Sequence, residues 1–215
     1  MSSALMSNLK KNLSLVKEKI ASRPVTIIAA SKTYSLKEIK ALYQLGITDF
    51  GENRAEDLLT RKQHLKDLAI NWHFIGHLQS NKVKTIINEI DYLHSLDRIN
   101  LAKEINKRLL KPLKCFIQIN VFKEKNKSGV YLEELEDFLT SLKKYDKIEI
   151  VGFMALGVYH DLSKTKTVFE TLLALKNKTL YPELSMGMSA DYELALQYQA
   201  TFIRLGRLLV GSNYE

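Results

Sequence analysis

Pro24-Val25-Thr26-Ile27-Ile28-Ala29-Ala30-Ser31-Lys32 is an uncharged, mostly apolar run that ends in a single ammonium. Its β-branched and small apolar residues predict a buried strand. A lysine at the C-terminal end of such a strand leaves the packed sheet where a ligand pocket can open. Burial disfavours an ammonium and lowers a lysine's pKa. The neutral amine can then attack a carbonyl and form a Schiff base. The plainer reading is a lysine that caps the strand and points into water, the commoner fate of charged side chains.

Further strand-like runs follow at 49–52, 72–75, 92–95, 115–121, 148–154, 184–186 and 201–205, eight in all with 25–30. Helical stretches at 35–45, 54–68, 80–90, 98–109, 131–144, 162–177 and 190–199 separate them. In 131–144, Leu132, Leu135 and Leu139 recur on one face while the acids point elsewhere. Ser35 and Asp191 stand where N-caps belong. Strict alternation implies parallel strands joined by helical crossovers. Eight such units predict an α/β fold, a single-domain (β/α)8 TIM barrel. An open doubly wound sheet is the alternative, and the missing Gly-x-Gly-x-x-Gly after the first strand counts against it. Leu9, Leu13, Val16 and Ile20 recur at helical spacing and predict an extra N-terminal helix over 1–22, packed on the barrel. The expectation is one domain spanning 1–215.

Composition limits the function classes. With 46% hydrophobic residues and 26% charged ones, the chain reads as soluble, and no run of about 18 apolar residues suggests a membrane span. The basic N-terminus lacks the apolar core of a signal peptide. Cys115 is the only cysteine, so no internal disulfide forms and a cytoplasmic location is expected. The net charge of +8 raises a nucleic-acid partner as a hypothesis. The lysines and arginines, however, are scattered along the chain, and solvated helix faces explain them better. His73 and His77 lie about 13 Å apart in an extended segment and cannot share one metal ion. There is no His-Glu-x-x-His, Walker loop or Gly-x-Ser-x-Gly elbow, so no metal site is expected.

Active sites in such barrels gather where strands end. Reading those ends gives Lys32, Glu52-Asn53-Arg54, Gly76-His77, Ser95, Asn120, Met154, Gly187-Met188-Ser189 and Arg204 to Gly206. Glycine permits close approach of backbone to a ligand, and Ser189 precedes a helix whose free N–H groups favour an anion. Simple turns are the alternative for Gly187 and Gly206.

Ala29-Ala30-Ser31-Lys32, Phe50-Gly51-Glu52-Asn53-Arg54 and the string from Trp72 to Lys82 resemble the pyridoxal phosphate homeostasis proteins. So do Lys127-Ser128-Gly129, Gly152-Phe153-Met154-Ala155, Leu184 to Ser189 and Arg204-Leu205-Gly206. The resemblance implies a barrel like the N-terminal domain of alanine racemase. It implies pyridoxal 5′-phosphate held as a Schiff base on Lys32, with Arg204 facing the pyridine nitrogen and Asn53 near the ring. Ser189, with Met188 beside it, and the backbone near Gly206 would hold the phosphate. One position departs from the family: Arg207 stands where threonine or serine is usual, and it joins the expected cofactor set through its N–H or guanidinium. The family is regarded as a carrier or buffer of vitamin B6, acting on amino-acid and keto-acid metabolism indirectly. No catalytic residue is therefore assigned. PLP-dependent apoenzymes are the implied partners, and a monomer is expected. The competing readings are a low-activity racemase or lyase and a basic nucleic-acid-binding module.

Overall fold

A computed structural model describes residues 3–211. Eight parallel strands close into a barrel in chain order, the last pairing with the first. They are β1 (Thr26–Ala30), β2 (Asp49–Glu52), β3 (Asn71–Phe74), β4 (Tyr92–Leu96), β5 (Leu113–Gln118), β6 (Ile148–Met154), β7 (Glu183–Ser185) and β8 (Phe202–Leu205). Around them lie α2 (Leu36–Gln44), α3 (Ala55–His64), α4 (Val83–Ile86), α5 (Ile99–Arg108), α6 (Leu135–Leu142), α7 (Leu162–Lys178), α8 (Tyr192–Gln197) and α9 (Arg207–Val210). The barrel expected from the alternation is present, and the open sheet is excluded by the β1–β8 pairing.

The strands are apolar because both of their faces are covered. Most of the core lies between sheet and helices, with Phe50, Leu58, Phe153 and Phe169 inaccessible to solvent. A second, small cluster of Ile28, Phe116, Met154 and Phe202 joins β1, β5, β6 and β8 inside the barrel. The N-terminal helix α1 (Ser3–Ile20) buries Leu9, Leu13, Val16 and Ile20, the four residues its periodicity singles out. Asn12 Nδ2 donates to Leu209 O at 3.1 Å and ties α1 to α9. Ser35 caps α2 with a reciprocal bond to Glu38, which satisfies two N–H groups that would otherwise be free.

Several boundaries differ from the sequence reading. The strand expected over 115–121 ends at Gln118. Asn120 accepts from Glu124 N and donates to the carbonyls of Glu124 and Lys127, so its amide folds its own loop. The helix expected over 80–90 is a 3₁₀ turn over Ser80–Lys82 followed by the single turn of α4. The stretch 131–144 also opens with a 3₁₀ turn, Leu132–Glu134. That turn winds at about three residues per turn, so the periodic face shifts. Leu132 is left exposed, and the buried face is Leu135, Phe138 and Leu142. Asp191 stands at the start of α8 but does not cap it; its carboxylate accepts from the upstream Met188 N–H at 2.6 Å.

Candidate functional site

The mouth of the barrel is built around the seam between its first and last strands. The register pairs Ile28 with Arg204 and Ala29 with Leu205. It brings the Lys32 end of β1 beside the Gly206 end of β8, although the two residues are far apart in sequence. Lys32 lies in a 3₁₀ turn, Ser31–Thr33, and is exposed. The burial proposed from the sequence is therefore absent, because the chain turns off the sheet one residue before the lysine.

The turn itself is tightly held. Ser31 Oγ donates to Glu52 Oε1 at 2.5 Å. Arg61 on α3 donates to the same oxygen at 2.6 Å, and its other terminal nitrogen reaches the carbonyls of Lys32 at 3.2 Å and Tyr34 at 3.1 Å. Burial pushes the Glu52 carboxyl above its ordinary value, only partly offset by the Ser31 bond and the Arg61 charge. Its second oxygen is buried with no hydrogen-bond partner among the described residues. Tyr34 OH donates across the seam to Gly206 O at 2.6 Å. Burial raises its phenol pKa, with Glu38 and Glu52 adding to the effect, so the tyrosine remains a donor. The lysine turn and the loop after β8 are thus one mechanical unit.

On the other side, Arg204 is 4% exposed. Its Nη1 donates to Ser185 Oγ at 2.6 Å and its Nη2 to Ala155 O at 3.1 Å. Burial lowers its pKa to about 10, with Asp191 opposing the shift, so it is a cation at neutral pH. A Cβ added at Gly206 would meet only Ala30 O, at 3.7 Å, an ordinary van der Waals contact. Gly187 is different. Its φ is +94°, and an added Cβ would come within 2.7 Å of Ala195 Cβ, so turn geometry and packing on α8 account for it. Met188, Ser189 and Arg207 are exposed at the ends of β7 and β8, and Asn53 is exposed at the end of β2. His73 and His77 diverge: His73 lies inside the barrel, and His77 at the mouth meets Ser128 Oγ at 2.9 Å.

Residues 6–214 match the family described as alanine racemase, N-terminal domain. A protein of Aquifex aeolicus named pyridoxal phosphate homeostasis protein is 37% identical over 195 residues, covering 86% of this chain and 86% of its own. The chain belongs to the pyridoxal phosphate homeostasis protein family. A solved structure of PipY from Synechococcus elongatus with PLP bound is 29% identical, covers 94% of this chain and 100% of its own, and superposes with a TM-score of 0.83. Alanine racemase of Corynebacterium glutamicum shares the fold alone, at 16% identity and a TM-score of 0.75 over 97% of this chain and 62% of its own.

Within this member of the family, Lys32 follows one strand of the β1–β8 seam, Arg204 and Gly206 lie on and after the other, and Asn53, Met188, Ser189 and Arg207 follow the ends of β2, β7 and β8. Sequence reading named Glu52 as a strand end and Asp191 as an N-cap, but gave neither a role in holding these residues, and it missed Arg61 and Tyr34. Glu52 and Arg61 anchor the lysine turn, Tyr34 bridges the seam, and Asp191 fixes the Met188 N–H. The available signal was a polar residue inside or just after a strand whose two faces are both covered. Glu52 and Ser185 both fit that description.

Proposed function

We propose that this protein binds pyridoxal 5′-phosphate at the C-terminal mouth of the barrel and serves as an intracellular carrier or buffer of vitamin B6. The observation that carries the reading is the β1–β8 seam. It pairs the strand that leads into an amine (Lys32) with the strand that carries a buried guanidinium donor (Arg204) and ends at a glycine (Gly206). These residue types suit the cofactor. Lys32 would hold the aldehyde, and Arg204 would donate to the pyridine nitrogen. Asn53 would lie near the ring. Met188, Ser189 and the backbone of Gly206 and Arg207 would receive the phosphate, with the Arg207 guanidinium able to add a charge-assisted bond. When bound, the cofactor contributes an aldehyde that amines capture reversibly, which suits storage and exchange.

Two features favour a carrier over a catalyst. Carbanion chemistry on this cofactor draws on a protonated ring nitrogen, often held by an acidic partner. Arg204 only donates and is charged at neutral pH, so it favours the unprotonated nitrogen. No residue in the reading supplies an acid or base to the substrate face opposite Lys32. Relatives named as homeostasis proteins agree with a role outside metabolic catalysis. The same reading takes the protein as a cytoplasmic monomer, a single cofactor-binding domain that passes cofactor to PLP-dependent apoenzymes. Among the described residues, no helix is long and apolar enough to cross a membrane.

The test is a titration of purified protein with pyridoxal phosphate, followed by visible absorbance. A saturable band that disappears in Lys32→Ala supports the reading. A band that survives in that variant removes Lys32 from the site. Steady conversion of an L-amino acid that depends on Lys32 replaces the carrier with an enzyme.

A further inference from the structure

Five polar side chains from five strands form one unbroken hydrogen-bonded line through the barrel interior. Asp49 Oδ1 (β2) meets His73 Nε2 (β3) at 2.9 Å. His73 Nδ1 meets His94 Nε2 (β4) at 2.9 Å. His94 Nδ1 meets Ser185 Oγ (β7) at 2.8 Å, and Ser185 Oγ meets Arg204 Nη1 (β8) at 2.6 Å. His73, His94 and Ser185 are fully inaccessible to solvent. Aromatic rings sheathe the line: Tyr92 stacks on His73 at 4.5 Å and 2°, and Phe116 stacks on His94 at 4.4 Å and 19°.

One assignment of its protons leaves no hydrogen in the line without an acceptor. A guanidinium can only donate, so Ser185 Oγ accepts from Arg204, and within the line its own hydrogen has only His94 Nδ1 to go to. His94 is neutral, held well below its ordinary pKa by burial, then by His73 and Arg204. Its one hydrogen is therefore on Nε2 and is donated to His73 Nδ1. His73 in turn carries its hydrogen on Nε2 and donates it to Asp49. The carboxylate can accept it: burial raises the Asp49 pKa, but the His73, Thr48 and Asn71 bonds outweigh that and leave it below the usual range. All the donors point one way, from the cation at the mouth to the anion on β2. The reverse polarity would leave the Ser185 hydroxyl hydrogen with no acceptor inside the line.

We propose that Asp49, His73, His94 and Ser185 are positioning residues that hold the Arg204 guanidinium in one orientation at the end of β8, where it meets the cofactor ring as a fixed donor. The proposal rests on the cofactor-binding reading for its purpose, and on the line alone for its mechanism. A buried cation needs its hydrogens placed. Ala155 O takes one terminal nitrogen, and the line takes the other while tying it to a remote negative charge. The guanidinium cannot rotate without breaking a bond on each side.

The experiment uses nitrogen-resolved NMR of the full-length, cofactor-free protein. In the wild type, His73 and His94 both show the Nε2–H tautomer, and the Arg204 Nη protons exchange slowly. Ser185→Ala, which removes a single oxygen, speeds that exchange at least tenfold. His94→Phe, which does not touch Arg204 but keeps a ring on Phe116, does the same. Unchanged Arg204 exchange in Ser185→Ala, or a wild-type His94 protonated on Nδ1, overturns the proposal. Failure of the wild type to bind pyridoxal phosphate defeats the function proposed above and leaves these resonances to judge the line.

Discussion

Arg61→Ala tests the claim that the Lys32 turn is held from behind. Arg61 is 15% exposed in its side chain and Glu52 is 0% exposed, with 2.6 Å between nitrogen and oxygen. Breaking a buried pair by removing one partner costs about 3–5 kcal/mol, because the remaining charge is left uncompensated. The partial exposure of Arg61 puts the expected loss near ~3 kcal/mol, at the low end of that range. The bonds to the Lys32 and Tyr34 carbonyls are lost at the same time. The loss also depends on pH, with a definite sign. Glu52 already has a folded-state pKa above its ordinary 4.5, and removing the cation raises it further. A raised carboxyl favours the folded state at low pH and loses that advantage as pH rises through the folded value. The deficit of the variant is therefore largest above the variant's folded-state value and shrinks as pH falls toward about 4.5. Urea unfolding at pH 7 should show the midpoint lower by about 1–3 M, given a slope of about 1–3 kcal/mol/M. A deficit below about 0.5 kcal/mol, within the range of ordinary surface changes, or one equal at pH 5 and pH 7, refutes the reasoning.

Other perturbations separate fold from site. Gly206→Ala should leave thermal stability almost unchanged, because its Cβ makes only an ordinary contact with Ala30 O at 3.7 Å, yet weaken pyridoxal phosphate binding in an absorbance titration; unchanged affinity would take the glycine out of the cradle. Gly187→Ala should cost ~2 kcal/mol through its positive φ and its clash with Ala195, which thermal or urea unfolding would record. Leu9→Ala should cost about 3 kcal/mol as a buried deletion if α1 is part of the cooperative core, since Leu9 is fully buried; a loss below 1 kcal/mol would mean that α1 unfolds separately. Tyr34→Phe removes the hydroxyl bond to Gly206 O and should cost ~1 kcal/mol, read by the same unfolding assay.

The barrel was legible because its parallel strands, covered on both faces, leave nearly unbroken apolar runs, and helix-length segments separate them. The face of α1 was legible because a regular helix repeats its buried positions. The face of α6 was not, because a 3₁₀ turn at Leu132–Glu134 changes the winding before the helix begins. The strand ends named most of the mouth. What they could not give was its support. Asp49, His73, His94 and Ser185 are polar residues in strands, and alternation alone assigns such residues to a surface. Only closure of the barrel places them on its inner side, within reach of one another. Arg61 could not be read either, because its role depends on how α3 returns past the Lys32 turn. For Lys32 the sequence offered a buried amine and a lysine pointing into water, and the 3₁₀ turn leaves it exposed at the mouth.

The most direct measurement of the central claim is borohydride reduction of the protein mixed with pyridoxal phosphate, followed by mass mapping of its peptides. The account predicts a single reduced adduct on the peptide that carries Lys32. An adduct spread over several surface lysines, or absent from that peptide, would contradict it.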